Sequence, residues 1–180
     1  MKIKYLLISL AILASACGSG IKYEQNIRGD FDKMCKAFIS GDYNAYLDFI
    51  YPVVVSGYGG KDKALEMFKN YSVQMAEQGK KITAIKLDSL TKPVRAGKQI
   101  HCLVIQTIEM KVPGGTQKSE NILLAISDNM GKTWTFFDVT MIDKSRLKIL
   151  IPDFNDDLEF PQVKDPVFIP DDAGLKGQPS

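Results

Sequence analysis

The sequence predicts an α+β protein in which N-terminal helices pack on one curved antiparallel sheet of about four strands. Three observations support this prediction. Apolar residues recur at helical spacing between residues 27 and 78, whereas the stretch from 98 to 143 has the composition and turn signals of consecutive strands. Beyond residue 152 the chain is rich in Asp and Pro and has no period, which predicts an irregular C-terminal tail.

The first residues are typical of an export signal. Lys2 and Lys4 precede an apolar run that is too short to span a bilayer as a stable helix. The run ends in small residues directly before Cys17, and this pattern resembles the lipobox of bacterial lipoproteins. The resemblance implies that residues 1–16 are a signal peptide and that a lipid on Cys17 anchors the protein to a membrane. Ordinary secretory cleavage after Ala16 is the alternative.

The same resemblance implies a location in the bacterial cell envelope. The residue after the cysteine is Gly18 and not Asp, so the lipoprotein sorting rules allow transport to the outer membrane. An outer-membrane or periplasmic-face location is therefore expected. Residues 17–23 contain two glycines and are expected to form a flexible tether. The predicted organisation continues with a domain at 24–152 and an acidic, Pro-rich tail at 153–180.

Without the signal peptide the chain would be neutral. The full sequence has 23 basic and 21 acidic side chains, and Lys2 and Lys4 account for the difference. Nucleic-acid binding depends on clustered Lys and Arg, so neutrality argues against a nucleic-acid partner. The tail from residue 153 onward is acidic, which suggests that it lies against the mildly basic body.

The N-terminal half predicts three helices. The first has apolar residues at helical spacing and ends at Gly41, because glycine adopts the left-handed conformation at low cost. Asp42 is a suitable N-cap for a second, short helix at 43–50, which Pro52 ends. A third helix at 61–78 ends before Gly79. The first apolar stripe consists of Ile27, Phe31, Met34, Cys35, Phe38 and Ile39.

Four strands are predicted after the helices, at 82–90, 99–112, 117–127 and 133–143. Short turns rich in Gly and Pro separate the last three, which favours an antiparallel meander. Residues 145–152 are expected to form a short helix or an extended arm. Both faces of the central strands are apolar, and the helices cover only one face. A second cover is therefore needed, which is the C-terminal arm, another copy of the protein or an envelope partner.

This order of elements resembles the NTF2-like superfamily, also called the cystatin-like cone. The resemblance is carried by residues 31–38, by GDYNAYL at 41–47, by residues 62–75 and by GKTWTFFD at 131–138. It implies that three helices pack on one face of a bent sheet and leave a conical cavity. Members of the superfamily include isomerases, dehydratases and binding domains, so the fold alone does not specify a function.

A smaller motif lies between the last two predicted strands. Ser127, Asn129, Gly131, Thr133 and Trp134 resemble an Asp-box, with Asn129 where that motif has Asp. A short polar side chain binds turn amides, glycine takes the positive φ, and tryptophan anchors the hairpin. A single copy in a chain with so few strands predicts a hairpin clamp rather than a glycosidase propeller.

Two residues are candidates for catalysis. Asp138 lies between apolar neighbours in a predicted strand, and isomerases of the superfamily use a carboxylate base in the cone, with a Tyr as donor. Tyr46, Tyr51 and Tyr58 are candidate donors or ligand-binding residues, and Trp134 is a further ligand-binding candidate. The alternative for Asp138 is an exposed position paired with a Lys. His101 is expected on the face away from the helices if Cys102 faces them, so a structural role for it competes with catalysis.

Cys35 and Cys102 are the cysteines that remain in the predicted domain. An exported chain is able to keep a disulfide between them, and two free thiols packed as small apolar residues are the alternative. No metal or cofactor is predicted, because the single histidine has no suitably spaced partner. Three functions follow as hypotheses: a non-enzymatic domain that binds a small ligand or protein, a small isomerase, lyase or hydrolase acting in the cone, and a structural subunit of an envelope assembly.

Overall fold

The computed structural model describes residues 16–171, with side chains from Lys22 onward. Residues 1–15 of the predicted signal peptide and residues 172–180 of the acidic tail lie outside this range. Within it the chain forms five helices and one antiparallel sheet of six strands, which confirms the α+β class. The helices are α1 (Ala16–Ser40), α2 (Tyr43–Leu47), α3 (Pro52–Gly57), α4 (Lys61–Glu77) and α5 (Lys144–Leu150). The strands are β1 (Lys81–Leu90), β2 (Val94–Ala96), β3 (Gln99–Val112), β4 (Gly115–Ser127), β5 (Thr135–Asp138) and β6 (Val167–Pro170).

The sheet is larger at its edges than the sequence predicts. Its central order is β1-β3-β4-β5, while β2 pairs with β3 and β6 pairs with β4. These two additional strands correct the expected number of four; they are too short to show alternation, and β6 lies in a Pro-rich segment. Proline is tolerated in β6 because an edge strand leaves one side of its backbone unpaired.

The last strand of the meander is shorter than its predicted range of 133–143. Residues 133–134 belong to the preceding turn, and β5 ends at Asp138. Beyond it, the Thr140 hydroxyl accepts a hydrogen bond from the Ile122 backbone N–H at 2.9 Å, so a side chain replaces the strand ladder there. The chain is then free to leave the edge of the sheet.

Helix α1 extends further toward the N-terminus than expected. Its backbone is helical from Ala16 and so covers the segment 17–23, where the glycines predict a flexible tether. Each residue added to an existing helix gains a backbone hydrogen bond, which offsets the low propensity of Gly18 and Gly20. The helix ends as predicted before Gly41, which has a φ of 78°. No helix in the range 16–171 is long and apolar enough to cross a membrane.

The segment after α2 also differs from its prediction. Asp42 caps α2 by accepting a hydrogen bond from the Ala45 N–H at 3.1 Å, as expected. The helix ends at Leu47 rather than 50 because the following residues run beside β5, where Ile50 forms a parallel bridge with Phe136. Pro52, expected to end the second helix, begins α3, since proline suits the first position of a helix.

Two apolar cores lie on opposite faces of the sheet. The first core lies under α1, where Ile27, Phe31, Met34 and Cys35 pack against alternate residues of the strands. The second core lies on the other face, under residues 139–171, which we call the C-terminal arm. The strand residues of the first core are Ile100, Cys102, Val104, Leu123, Ala125 and Phe136, and those of the second are Leu103, Ile122, Leu124, Ile126 and Phe137.

The C-terminal arm is the second cover that the apolar sheet requires. Leu147, Ile151, Phe154 and Leu158 are buried in the second core. The arm is fixed to the β2–β3 hairpin, where the side-chain amide of Asn155 donates to the Arg95 carbonyl at 2.6 Å. The chain's own arm therefore covers the second face of the sheet. A partner was expected to bind at that face only if it were open.

Helix α4 lies on the same side of the sheet as α1. Phe68 contacts Tyr46, with ring centroids 5.1 Å apart, and Tyr46 packs on the first core. Five rings from α1, α2, α4 and the α3–α4 loop form an aromatic cluster: Phe38, Tyr43, Tyr46, Tyr58 and Phe68. Only Ala64 of α4 is fully buried, so this cluster is the main attachment of the helix.

The turn between β4 and β5 forms the predicted hairpin clamp. The Ser127 hydroxyl accepts a hydrogen bond from the Gly131 N–H at 2.9 Å, and the Asn129 side-chain oxygen accepts one from the Thr133 N–H at 3.0 Å. Gly131 has a φ of 77°, and the buried Trp134 donates its indole N–H to the Gly131 carbonyl at 3.3 Å. The motif therefore serves the architecture of the turn.

Candidate ligand site on the helix-covered face

Three polar side chains form a row across the face of the sheet that the helices cover. Gln106 of β3 is directly opposite Asn121 of β4, and both lie among the apolar residues that alternate toward α1. Asn121 reaches Asp138 of β5, since its side-chain amide lies 3.3 Å from the carboxylate. Asp138 pairs with Leu123, a member of the first core, which places the carboxylate on this face. We call Gln106, Asn121 and Asp138 the polar row.

Gln106 is the most unusual member of the row. Its side chain is 5% exposed, and its carbonyl oxygen Oε1 is buried without a hydrogen-bond partner. Leaving such an acceptor unsatisfied costs about 1–3 kcal/mol. Leu87 lies opposite it on β1, so the protein offers no polar group from that side. A donor supplied from outside the chain would remove this cost.

Asp138 is held in place by its neighbours. Its carboxylate accepts hydrogen bonds from the Thr140 N–H at 3.0 Å and from the Thr140 hydroxyl at 2.6 Å, in addition to the Asn121 amide. The residue is exposed at the end of β5 and forms no ion pair with a Lys among the described residues. The carboxylate is thus oriented and accessible.

Tyr46 connects the polar row with the aromatic cluster. Burial raises the pKa of Tyr46 above its ordinary value, and the negative charge of Asp138 and the neighbouring Tyr58 raise it further. The phenol therefore stays protonated over the physiological pH range and is a hydrogen-bond donor. Of the predicted ligand-binding residues, Tyr46 lies near Asp138, and Tyr58 belongs to the aromatic cluster beside it.

His101 lies on the opposite face of the sheet, under the C-terminal arm. Its ring stacks on Phe154 with centroids 6.0 Å apart, and Nε2 lies 2.8 Å from the side-chain oxygen of Gln99. Burial lowers the pKa of His101 to about 4, against the opposing influence of the carboxylates of Asp128 and Asp153. The imidazole is therefore neutral at pH 7. The sheet separates it from Asp138, so the two catalytic candidates do not act on one substrate.

Tyr51 and Trp134 are not part of the polar row. Tyr51 belongs to the second core, and its hydroxyl lies 3.3 Å from the side-chain amide of Gln99. Trp134 is buried in the first core, where it contacts Tyr23 edge-on at 6.3 Å. Both rings are used in packing, so the structure excludes them from the candidate site.

The two described cysteine side chains are free thiols in the first core. Burial raises the pKa of Cys35 to about 12 and that of Cys102 to about 11, so both are protonated at neutral pH. The structure therefore corresponds to the second alternative, in which they are small apolar residues rather than a disulfide. Cys17 lies in the first turns of α1, and its side chain is outside the described part.

Two surface grooves lie away from the polar row. One, of about 370 Å³, separates α1 from the β1–β2 connection, and the other, of about 660 Å³, lies within the C-terminal arm, between residues 139–144 and residues 159–163. Neither is lined by Gln106 Oε1 or by His101 Nδ1, which are the unpartnered buried side-chain atoms of residues 22–171. We therefore give more weight to the polar row than to either groove.

Gln106 and Asn121 are functional candidates that were not predicted from the sequence, although the sequence contains a signal for both. The turn at Pro113 and Gly114 fixes the register of the β3–β4 hairpin, in which Val112 pairs with Gly115. Counting outward from that pair places Gln106 opposite Asn121, and two amides facing each other in apolar strands are unusual.

The described side chains contain no group of three or more His, Cys, Asp or Glu residues that could hold a metal ion. Comparisons with family models, curated proteins and solved structures found no match to this chain. The function is therefore argued from the geometry of the polar row.

Proposed function

We propose that this chain is a lipid-anchored protein of the bacterial envelope whose NTF2-like domain binds a small ligand on the helix-covered face. The order of helices and strands and their placement on one face of the sheet support the NTF2-like assignment. The small residues before Cys17 support the lipid anchor. The ligand would lie between the polar row and the aromatic cluster.

The observation that carries the ligand hypothesis is the buried acceptor of Gln106. An unpartnered carbonyl oxygen in the middle of an apolar face is costly for a structural residue. The ligand expected there has an apolar body, which suits the surrounding rings and aliphatic side chains. It also carries a hydroxyl or amide N–H that donates to Gln106.

An enzymatic function is the alternative, and one observation favours it. Asp138 and Tyr46 lie close enough for the carboxylate to raise the phenol pKa, so a base and a donor are present on one face. We favour binding over catalysis because three hydrogen bonds already engage the Asp138 carboxylate. His101, the other candidate, is on the opposite face.

The ligand hypothesis is tested by native mass spectrometry of protein purified from its own membranes. We expect wild-type protein to carry a small molecule that Gln106→Leu loses, because leucine has a similar volume but no acceptor. Gln74→Leu on the exposed face of α4 is the matched control and should retain the molecule. A bound molecule that survives Gln106→Leu at full occupancy would reject the site, and turnover of that molecule would favour the enzyme.

The anchor is tested separately by labelling growing cells with a radioactive fatty acid. The label should enter the wild-type protein and be absent from Cys17→Ala. Incorporation into the Cys17→Ala variant would contradict the lipidation of this residue.

A further inference from the structure

One end of the molecule gathers the beginning of α1 and two turns of the sheet. Tyr23 packs against Gly131 of the β4–β5 turn, and the Asn26 side-chain amide donates to the Gly131 carbonyl at 2.7 Å. The β2–β3 turn lies at the same end, since Gln99 of β3 neighbours Asp128 through a hydrogen bond of 2.7 Å. We call this the α1-start end.

The α1-start end carries surplus positive charge. Five exposed cations lie on α1, on the two turns or their flanks, and on the β1–β2 connection beside α1. None forms an ion pair with another residue between 22 and 171: Lys22, Lys92, Arg95, Lys98 and Lys132. Three carboxylates lie at the same end, and one of them, Asp153, lies against Gly97 of the β2–β3 turn without an ion pair among the described residues. The five cations outnumber these carboxylates. Glu24 pairs with Arg28 at 2.9 Å, and Asp128 accepts the hydrogen bond from Gln99.

The outermost turn of this end also exposes an apolar side chain. Met130 is 51% exposed and has a φ of 61°, the one positive φ of a residue other than glycine in the range 16–171. A left-handed conformation is unfavourable for methionine, and the hairpin clamp on either side of it maintains the strain. The result is a methionine displayed at the apex of a basic surface.

We propose that the α1-start end docks on anionic phospholipid headgroups, with Met130 inserted at the interface. This inference rests on the proposed anchor at Cys17. At about 1.5 Å per helical residue, Lys22 lies roughly 8 Å from Cys17 along α1. That is about one Debye length from the lipid surface at physiological salt, so Lys22 experiences its negative potential.

The far end of the acidic tail agrees with this orientation, whereas its first residues, Asp153 and Asn155, lie at the β2–β3 hairpin. The arm ends at Asp171, whose N–H donates to the Gly114 carbonyl at 3.1 Å, and Gly114 belongs to the turn at the other end of β3 and β4. Asp171 also pairs with Lys111 there. The last described acidic residue is therefore at the end of the sheet away from α1, where it does not oppose contact with an anionic surface.

The test uses the chain from residue 17 to 180 with Cys17→Ser, so that binding does not depend on an acyl chain. Cosedimentation is measured with vesicles of equal parts phosphatidylglycerol and phosphatidylcholine, and with phosphatidylcholine alone, at low and high salt. The wild-type surface should bind the anionic vesicles at low salt, weakly at high salt, and not the neutral vesicles. Met130→Ser should weaken binding without changing the salt dependence.

A matched pair of variants locates the binding surface. The first replaces Lys92, Arg95, Lys98 and Lys132 with Gln and should lower partitioning onto anionic vesicles by at least about tenfold. The second replaces four exposed, unpaired lysines elsewhere with Gln and has the same net charge. It should change partitioning onto anionic vesicles by less than about twofold. Those control lysines are Lys36, Lys63, Lys69 and Lys81.

Equal losses in the two variants, or no binding of the wild-type surface to anionic vesicles at low salt, would overturn the proposal. Because this assay uses unlipidated protein, its outcome is independent of whether Cys17 is acylated in cells. Fatty-acid labelling of Cys17 decides the anchor itself.

Discussion

His101 offers a sharp test of how the C-terminal arm is attached. The side-chain amide of Gln99 donates to Asp128, so its oxygen faces His101 and accepts from the protonated Nε2. Nδ1 then carries a lone pair that is buried without a partner. Protonation of Nδ1 would place a charged donor against the Phe154 ring with no acceptor, so acid should loosen the arm.

The expected magnitude follows from the pKa of His101, which is about 4 in the folded protein against an ordinary value of 6.5. The unfolded chain binds the proton more readily, so stability is complete above pH 6.5 and is lost as the pH falls toward 4. One pH unit corresponds to 1.36 kcal/mol, which gives roughly 3 kcal/mol over this interval.

The assay is urea unfolding followed by circular dichroism at several pH values between 7 and 4, with wild type and His101→Gln in parallel. Glutamine keeps a donor for Gln99 and does not titrate. His101 is the single histidine of the sequence, so no other side chain with an ordinary pKa titrates between pH 5.5 and 6.5. The difference between the two proteins therefore isolates the imidazole from the carboxylates, which both proteins share.

The free energy of unfolding of wild type should fall by about 3 kcal/mol more than that of His101→Gln between pH 7 and pH 4. Parallel curves for the two proteins would refute the reasoning. So would a wild-type protein that gains stability as the pH falls from 6.5 to 5, because a partnered histidine behaves in that way.

Three further changes test the arm and the hairpin clamp. Gly115→Ala would place a Cβ 2.6 Å from the Phe168 ring, so β6 should detach and the arm should be cleaved faster in limited proteolysis; Gly29→Ala, which meets nothing within 4 Å, should leave cleavage unchanged. Phe154→Ala removes the ring that stacks on the imidazole and should lower the free energy of unfolding by about 3–4 kcal/mol in urea, whereas a loss below 1 kcal/mol would mean that the arm contributes little. Ser127→Ala removes the acceptor of a turn N–H and should cost about 1–2 kcal/mol by the same measurement, with an unchanged value speaking against the clamp.

The central elements were predictable because each is long enough to show its period. The stripe from Ile27 to Phe38 gave the buried face of α1, and the turns at 113–115 and 128–131 gave the meander. The same alternation placed His101 and Cys102 on opposite faces, as the structure confirms. Three covers remained possible for the second face of the sheet, and the C-terminal arm was one of them. Periodicity shows that a face is buried but does not identify the segment that covers it.

The remaining features depend on contacts that local patterns do not encode. Residues 167–170 become a strand only because β4 has a vacant edge beside them, and α3 begins where residues 49–51 turn away from β5. In the candidate site, Asp138, Tyr46 and Tyr58 could be proposed from their residue types. Trp134 was also a ligand-binding candidate, but its indole is buried in the first core. Gln106 could be identified only from the register of the β3–β4 hairpin, which places it opposite Asn121.

The prolines that bound β6 have a consequence for solubility. Pro170 has no N–H, so its pair with Gly115 is not a hydrogen-bonded one, and Ile169 directs its backbone polar groups inward to Thr116 instead. By alternation Phe168 directs its N–H outward, and the neighbouring outward positions are Pro166 and Pro170. A second strand approaching this border would find a single donor over five residues. We therefore expect the β6 border to be a poor template for sheet extension between crowded molecules.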